Sequence, residues 1–338
     1  MASGAAATPV AVLGSGSWGT ALAIQFARAG KPTRLWGRDA AQLAQMRAER
    51  CNRRYLPGAS FPELLTVAAS LESALDGVTD VLIAVPSSGF RAFLQDLAPR
   101  LADGMYVAWA TKGFERETGL LPHQVAHEVL GDSHEVAVLS GPTFAKEVGA
   151  GLPTAMVVAS PDASFATRIA EDLASPTFRT YISTDIIGVE IGGAVKNVIA
   201  IGAGLSDGLG FGANTRVALI TRGLNEMTRL GVALGARAET FMGLAGLGDL
   251  VLTCTDDQSR NRRCGLALAR GLSPDEAMRE IGQVVEGYHA ARVLRAVARR
   301  LEIDLPICEG ICRILFDGAD AGEVVRELMR RPLRAEFE

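Results

Sequence analysis

Lys196 is the one charged residue in an apolar, glycine-containing stretch, residues 192–199, whose spacing is typical of a buried helix. Burial disfavours the ammonium form of lysine and lowers its pKa. Lys196 could therefore accept a proton from a substrate hydroxyl and return it in the reverse direction. The residues alone also allow a lysine whose stem packs on the helix while its ammonium reaches water. Lys196 is the first candidate for a catalytic residue.

Two turns that follow predicted strands carry further polar residues. Lys112 lies in A-T-K-G, residues 110–113, and residues 140–147 read S-G-P-T-F-A-K-E. Open α/β sheets bind ligands at the carboxyl edge of their strands, so Lys112 could face a phosphate or carbonyl and the amides after Ser140 could receive an anion. Each turn has an ordinary alternative, which is a solvated lysine for the first and a helix cap at Thr143 for the second.

A fourth polar cluster combines Asp249, in G-L-G-D, with the sequence S-R-N-R-R at residues 259–263. Guanidinium groups match the oxygens of a phosphate, and a serine hydroxyl and an asparagine amide add hydrogen bonds. Asp249 would then orient Lys196 or a substrate hydroxyl. A solvated basic turn is the alternative for the arginines taken alone.

A glycine-rich turn lies near the amino terminus. Gly14, Gly16 and Gly19 form G-S-G-S-W-G after an apolar run at residues 10–13 and before a helical pattern that extends to residue 29. In this context the first glycine allows a tight turn, the second admits a pyrophosphate and the third lets helix and strand pack closely. We expect a dinucleotide-binding site here.

The residues after the second predicted strand bear on which dinucleotide binds. Where an NAD site usually has an acidic residue, the chain reads Trp-Gly-Arg-Asp, with Arg38 and Asp39. Arg38 suits a 2′-phosphate. Asp39 could instead contact the ribose, or it could cap the next helix. We favour NADP(H) and keep NAD(H) as a possibility.

The elements that must position these residues change in type along the chain. Short β-branched runs alternate with helical patterns in the first part, which predicts strands at residues 10–13, 33–36, 78–85, 105–110, 136–139, 155–159 and 179–182. Glycine-punctuated helical patterns follow. We predict an α/β Rossmann-type domain with a largely parallel sheet, residues 8–185, and an all-α substrate-binding domain, residues 186–338. The boundary should lie near residues 183–188.

Composition excludes several classes of protein. The chain has 338 residues, 48% of them hydrophobic, and a net charge of −4, which offers no global attraction for nucleic acid. The apolar run at residues 182–205 is interrupted by charged residues, so we expect a buried helix and no membrane insertion. The first eight residues lack the features of a signal peptide, so we expect a cytoplasmic protein whose five cysteines are reduced.

Seven motifs together resemble the soluble bacterial NAD(P)-dependent glycerol-3-phosphate dehydrogenase family. They are G-S-G-S-W-G, A-T-K-G, S-G-P-T-F-A-K-E, K-N-V-I-A-I, G-L-A-G-L-G-D-L, S-R-N-R-R and the V-V-E-G of residues 284–287, in the family's order between residues 10 and about 331. The resemblance implies reversible reduction of dihydroxyacetone phosphate to sn-glycerol 3-phosphate, for glycerophospholipid synthesis. It also implies a homodimer.

The resemblance further implies roles for individual residues. Lys196 would be the proton acceptor. The other residues around the small phosphate substrate would be Lys112, Gly141, Thr143, Asp249, Ser259, Arg260 and Asn261. Besides the three motif glycines, the residues contacting the cofactor would be Ser17, Trp18, Arg38, Lys112, Ala145, Arg260, Val284 and Glu286.

Two other functions remain open from the residues. A dehydrogenase of the same plan could act on a hydroxy acid or sugar acid, with the S-R-N-R-R cluster as its carboxylate clamp. A regulatory protein could bind NAD(P) without turnover. No metal site is predicted, because His123 and His127, four residues apart, read as a solvated helix face, and Cys308 and Cys312 read as small buried hydrophobic residues. His289 has no assigned role.

Overall fold

The amino-terminal part of the molecule is built around one twisted sheet. The computed structural model describes residues 8–332, so the last six residues of the predicted helical domain and the first seven residues of the chain lie outside the described residues. The strands of this part are β1 (Val10–Leu13), β2 (Thr33–Trp36), β3 (Cys51–Asn52), β4 (Leu56–Ser60), β5 (Leu65–Val67), β6 (Asp80–Ile83), β7 (Tyr106–Trp109), β8 (Val136–Ser140), β9 (Thr154–Ala159) and β10 (Phe178–Ser183). The helices between them are α1 (Ser17–Arg28), α2 (Ala40–Glu49), α3 (Leu71–Leu75), α4 (Phe90–Leu97), α5 (Pro122–Leu130), α6 (Ala145–Ala150) and α7 (Ala163–Leu173).

Eight strands form the main sheet, in the order β10-β9-β8-β7-β6-β1-β2-β5. Neighbours pair in parallel except β8 and β9, which are antiparallel. The central strands β1 and β6 are buried along their whole length because helices cover both faces of the sheet. The predicted α/β fold with a largely parallel sheet is confirmed, and all seven predicted strands are present.

Three strands were not predicted. β3 and β4 form a separate antiparallel hairpin, and β5 adds to the edge of the main sheet beside β2. β3 has only two residues, and β4 contains Pro57 and Gly58, which are both unfavourable in strands. β3 and β4 lack the runs of β-branched residues on which the prediction rested, and β5 has only three residues.

The rest of the described chain is helical. Its helices are α8 (Ile186–Gly208), α9 (Gly212–Ala233), α10 (Asp249–Thr255), α11 (Arg260–Ala269), α12 (Pro274–Ile281), α13 (Glu286–Arg300), α14 (Pro306–Phe316) and α15 (Ala321–Met329). This agrees with the predicted all-α second part of the fold. The side-chain carboxylate of Asp185 caps α8 by accepting from the Gly188 amide at 2.9 Å.

Helix α8 is the core of the helical part. It is long and apolar enough to cross a membrane, but 94% of its most apolar window is buried inside the molecule. Glycines let neighbours approach closely, because a Cβ on Gly204 would lie 2.0 Å from the Arg262 carbonyl oxygen, and a Cβ on Gly265 would lie 2.0 Å from that of Ile201. The expected buried helix is confirmed, and its apolar character is explained by contact with α9, α10, α11 and α13.

Candidate active site

The glycine-rich turn connects β1 to α1. Gly14 has a φ of 129°, and a Cβ there would lie 2.3 Å from the Ala84 carbonyl oxygen. A Cβ on Gly19 would lie 1.9 Å from the Gly14 carbonyl oxygen. Gly16, by contrast, faces open space, with no atom within 4 Å of an added Cβ. The turn is therefore closed on its protein side and open at the helix amino terminus, which is the form that a pyrophosphate requires.

The turn after β2 contains the two residues that bear on dinucleotide choice. Asp39 is the N-cap of α2, since its Oδ1 accepts from the Gln42 amide at 3.0 Å, and its other oxygen lies 3.4 Å from an Arg54 guanidinium nitrogen. The capping role considered for Asp39 is thus present. Arg38 is exposed beside it. Ser17 and Trp18 begin α1, and the buried Trp18 Nε1 has no hydrogen-bond partner among residues 8–332.

Three charged side chains meet where the sheet edge faces the helices. Lys196 Nζ lies 2.5 Å from Asp249 Oδ1, and Lys112 Nζ lies 2.8 Å from Asp249 Oδ2. Lys196 also donates to Thr253 Oγ1 at 3.0 Å. Asp249 is 1% exposed and Lys196 is 7% exposed, so this cluster is shielded from bulk water. Two cations on one carboxylate leave a positive surplus that suits an anionic ligand.

Each member of this cluster comes from a different element. Lys112 lies three residues beyond β7, and Lys196 lies midway along α8. Asp249 begins α10, directly after a π-helical turn, Leu244–Gly248. The turn approaches α8 closely because a Cβ on Gly192 would lie 2.3 Å from the Ala245 carbonyl oxygen. The glycines of both segments therefore set the distance at which Lys196 and Asp249 meet.

The burial of the cluster changes its acid–base properties. The pKa of Lys196 is lowered to about 8, chiefly because the ammonium is buried; the Asp249 carboxylate opposes this effect and the neighbouring Lys112 charge adds to it. Burial by itself raises the pKa of Asp249, but the two ammonium groups outweigh that effect and bring its pKa below the ordinary value. Lys196 can thus exchange a proton near neutral pH while Asp249 stays ionised.

A chain of amides extends from α8 toward α11 and α13. Asn261 Nδ2 donates to Asn197 Oδ1 at 2.8 Å, and the Gly287 amide donates to Asn261 Oδ1 at 2.9 Å. The Ser259 hydroxyl is the N-cap of α11 and accepts from the Arg262 amide at 3.2 Å. These contacts join the start of α11 to α8 at Asn197, the residue next to Lys196.

Arg260 and Glu286 lie at the same junction. Burial lowers the pKa of the Arg260 guanidinium and raises the pKa of the Glu286 carboxyl, and the charge of each opposes the effect of burial on the other. Glu286 Oε2 accepts from Ser87 Oγ at 3.4 Å. Ser87 follows β6, so this contact connects the sheet edge to the start of α13.

The remaining predicted residues lie at turns of the same edge. Gly141 follows β8 with a φ of 150°, and its carbonyl oxygen accepts from Thr143 Oγ1 at 3.2 Å. The helix cap considered for Thr143 is absent, because Phe144 is the N-cap of α6 and makes no side-chain cap hydrogen bond. Ala145 begins α6, and Val284 is 43% exposed just before α13.

Two family profiles match most of the chain. That of the NAD-dependent glycerol-3-phosphate dehydrogenase N-terminus matches residues 9–166, and that of the C-terminus matches residues 185–326. This chain belongs to that family. The family resemblance inferred from the seven motifs is therefore confirmed.

Individual members of the glycerol-3-phosphate dehydrogenase family are similar over nearly the whole chain. Glycerol-3-phosphate dehydrogenase (NAD(P)+) of Vibrio cholerae is 55% identical over 326 residues, which is 96% of this chain and 95% of that protein. The protein of the same name from Thioalkalivibrio sulfidiphilus is 56% identical over 97% of this chain and 99% of its own. The crystal structure of glycerol-3-phosphate dehydrogenase from Coxiella burnetii has a TM-score of 0.92 at 46% identity, covering 96% of this chain and 99% of that one.

Some residues at the candidate site of this glycerol-3-phosphate dehydrogenase family member were not predicted. Thr253 contacts Lys196, and its position four residues after Asp249, on the same helix face, was an available signal. Asn197 lies in the K-N-V-I-A-I motif, but no pattern in the sequence indicated a role for it; in the structure its Oδ1 accepts from Asn261 Nδ2. Ser87 carried no signal in the sequence, because its contact with Glu286 spans 199 positions.

One prediction for a histidine was wrong. His123 does not lie on a solvated face, because its Nδ1 is 2.6 Å from Glu190 Oε2 and its side chain is 21% exposed. Glu190 is buried in α8 and also accepts from Trp109 Nε1 at 2.8 Å. The sequence could not show this, because a buried carboxylate from another element replaces water as the histidine's partner. The predicted burial of Cys308 and Cys312 is confirmed.

Proposed function

We propose that this protein catalyses the reversible NAD(P)H-dependent reduction of dihydroxyacetone phosphate to sn-glycerol 3-phosphate. The observation that carries the proposal is the buried cluster of Lys196, Asp249 and Lys112 beside the carboxyl edge of a Rossmann-type sheet, in a chain that belongs to the glycerol-3-phosphate dehydrogenase family. Residues 8–185 would bind the dinucleotide, and residues 186–338 would supply most of the substrate site.

The dinucleotide fits the glycine-rich turn. Gly14 and Gly19 close the turn against the protein, and Gly16 leaves its outer face open to a pyrophosphate. Further contacts would come from residues at the start of α1 and along the carboxyl edge of the sheet, namely Ser17, Trp18, Arg38, Lys112, Ala145, Arg260, Val284 and Glu286. When bound, the nicotinamide supplies the hydride for C2 of the ketone or accepts it from the alcohol.

The proton is handled by Lys196. In the reductive direction its ammonium donates a proton to the oxygen on C2, and in the oxidative direction the neutral amine removes that proton from the hydroxyl. Asp249 fixes the position of the amine and stabilises its charged form. Thr253 accepts a second hydrogen bond from the same nitrogen and so limits its rotation.

The phosphate end of the substrate would be bound by Lys112 and by the start of α11. Arg260 and Asn261 project from the first turn of that helix, whose amino terminus favours an anion. Gly141, Thr143 and Ser259 would complete the site. Lys112 also contacts Asp249, which in turn contacts Lys196. The same cluster would therefore contact both the phosphate and the reacting oxygen of the substrate.

We further propose that NADP(H) is preferred over NAD(H). Asp39 is engaged as a helix cap and lies near Arg54, so it is poorly placed to bind a ribose hydroxyl. Arg38 is exposed in the same turn and can reach a 2′-phosphate. A cytoplasmic homodimer that supplies glycerophospholipid synthesis is the setting that the family resemblance supports.

Oxidation of NADPH followed at 340 nm tests the reaction. Purified protein should oxidise NADPH rapidly with dihydroxyacetone phosphate and slowly with a 2-keto acid. Faster turnover of the 2-keto acid would favour the hydroxy-acid alternative. Tight NADPH binding without turnover of either substrate would indicate a sensor and contradict the proposal.

A further inference from the structure

Two buried side-chain amides lie against the glycine-rich turn. Asn52 Nδ2 donates to the Ser15 carbonyl oxygen at 2.9 Å and to Thr20 Oγ1 at 2.8 Å. Gln42 Nε2 donates to the same Ser15 oxygen at 3.1 Å and to Asn52 Oδ1 at 3.3 Å. The carbonyl of Ser15 thus accepts two hydrogen bonds, and Asn52 is 0% exposed.

These contacts join three separate segments of the chain. Asn52 belongs to the β3–β4 hairpin, and its Oδ1 also accepts from the Tyr55 amide at 3.2 Å. Gln42 lies in the first turn of α2, just after Arg38 and Asp39. The hairpin and the start of α2 therefore support the glycine-rich turn from its protein side.

The hydrogen bonds to the Ser15 carbonyl also fix the direction of the next backbone N–H, that of Gly16. The carbonyl and the N–H of one peptide unit point in opposite directions, so fixing the Ser15 oxygen toward Asn52 directs the Gly16 N–H the other way. The turn is open at Gly16, since no atom lies within 4 Å of a Cβ added there. A pyrophosphate bound at this open turn would therefore meet a Gly16 N–H whose direction the two buried amides fix.

We propose that Asn52, assisted by Gln42, is a positioning residue for the dinucleotide pyrophosphate. The inference rests on the proposed function in that it takes the glycine-rich turn as the dinucleotide site. Both dinucleotides share the pyrophosphate, so Asn52 acts equally on NADPH and NADH. This differs from the effect expected of Arg38, which acts through the 2′-phosphate.

The inference is tested by titrating NADPH, and separately NADH, into the Asn52→Ala variant and following the change in fluorescence on binding. Removing the buried donor should raise both dissociation constants by the same factor, roughly tenfold. In steady-state assays the rise in cofactor KM should exceed any fall in kcat.

The matched control is Gln25→Ala. Gln25 is a buried amide on α1 that likewise donates to a backbone carbonyl, that of Leu173 at 2.8 Å, but at the other end of the helix. A general loss of stability would affect both variants, whereas the positioning role predicts weaker binding in Asn52→Ala alone. If Asn52→Ala does not fold, Gln42→Leu removes the second donor to Ser15 and should weaken both dinucleotides together.

Three results would overturn the inference. Unchanged dissociation constants in the folded variant would show that Asn52 does not position the turn. Equal weakening in Gln25→Ala would assign the effect to stability. Absence of any dinucleotide binding by the wild-type protein would refute both the proposed function and the inference. The first two results, by contrast, would refute the inference alone.

Discussion

The Nζ of Lys196 lies 2.5 Å from Oδ1 of Asp249 in a site where both side chains are almost inaccessible to water. Asp249 forms ion pairs with two lysines, because its second carboxylate oxygen, Oδ2, contacts Lys112. Removing one partner from such a buried set leaves a charge without its compensation. The consequences should therefore appear in proton transfer as well as in stability.

The pH dependence of the two reaction directions should be opposite. Lys196 has a pKa lowered to about 8, so its neutral form, which oxidation requires, increases as the pH rises through that value. Oxidation of glycerol 3-phosphate should accelerate with pH up to about 9 and then level off, and reduction of dihydroxyacetone phosphate should slow above pH 8. Initial rates at saturating substrates from pH 6 to 10 measure this. Parallel profiles in the two directions would contradict it.

Asp249→Asn should lower kcat by roughly 10- to 100-fold, because it removes a charge-assisted hydrogen bond from the proton carrier. The Asp249 charge raises the pKa of Lys196, so its loss should also move the step in the oxidation profile to lower pH. Asp257→Asn is the control, since it removes a carboxylate paired with Arg262 at the exposed end of the same region. A shift of the step to higher pH would show that the Asp249 carboxylate does not raise the pKa of Lys196.

Arg38→Ala should raise the KM for NADPH by roughly 10- to 100-fold and leave that for NADH nearly unchanged, since a guanidinium–phosphate contact is lost only with NADPH. Arg34→Ala is the matched variant. Arg34 lies on β2, and its guanidinium donates to backbone carbonyls near α3. Equal changes in the KM values for NADPH and NADH in Arg38→Ala would show that Arg38 does not bind the 2′-phosphate.

Gly204→Ala should destabilise the fold by about 1–3 kcal/mol, because an added methyl group has no room between α8 and α11. A Cβ there would lie 2.0 Å from the Arg262 carbonyl oxygen. Gly89→Ala is the control, since nothing lies within 4 Å of an added Cβ at that position. Urea unfolding of the two variants measures the difference, and equal midpoints would show that the helices can separate without cost.

Much of the fold could be predicted from the sequence because the main strands are short buried runs of β-branched and apolar residues. β1 and β2 have the predicted bounds, and the other five predicted strands differ by at most two residues at either end. β3 and β4 could not be predicted, since their residues are held by tertiary contacts such as that of Asn52 with Thr20. The antiparallel pairing of β8 and β9 depends on the path of the chain through α6, which local pattern does not specify.

The sequence predicted which residues belong to the candidate site but not which of them contact one another. Lys196, Asp249 and Lys112 were recognisable as polar residues in apolar or glycine-rich surroundings. That one carboxylate contacts both lysines depends on the close approach of Gly192 to the π-helical turn, which only the structure describes. The partner of His123 was unpredictable for the same reason, because Glu190 lies 67 positions away.

In the proposed mechanism, Lys196 carries the proton between the substrate hydroxyl and the protein. This role is tested by the turnover of dihydroxyacetone phosphate by the Lys196→Ala variant, measured at saturating NADPH and with NADPH binding verified by fluorescence. We predict a loss of kcat of roughly 10²- to 10⁴-fold with the dissociation constant of NADPH little changed. A folded, NADPH-binding variant that retains wild-type kcat would show that another group transfers the proton.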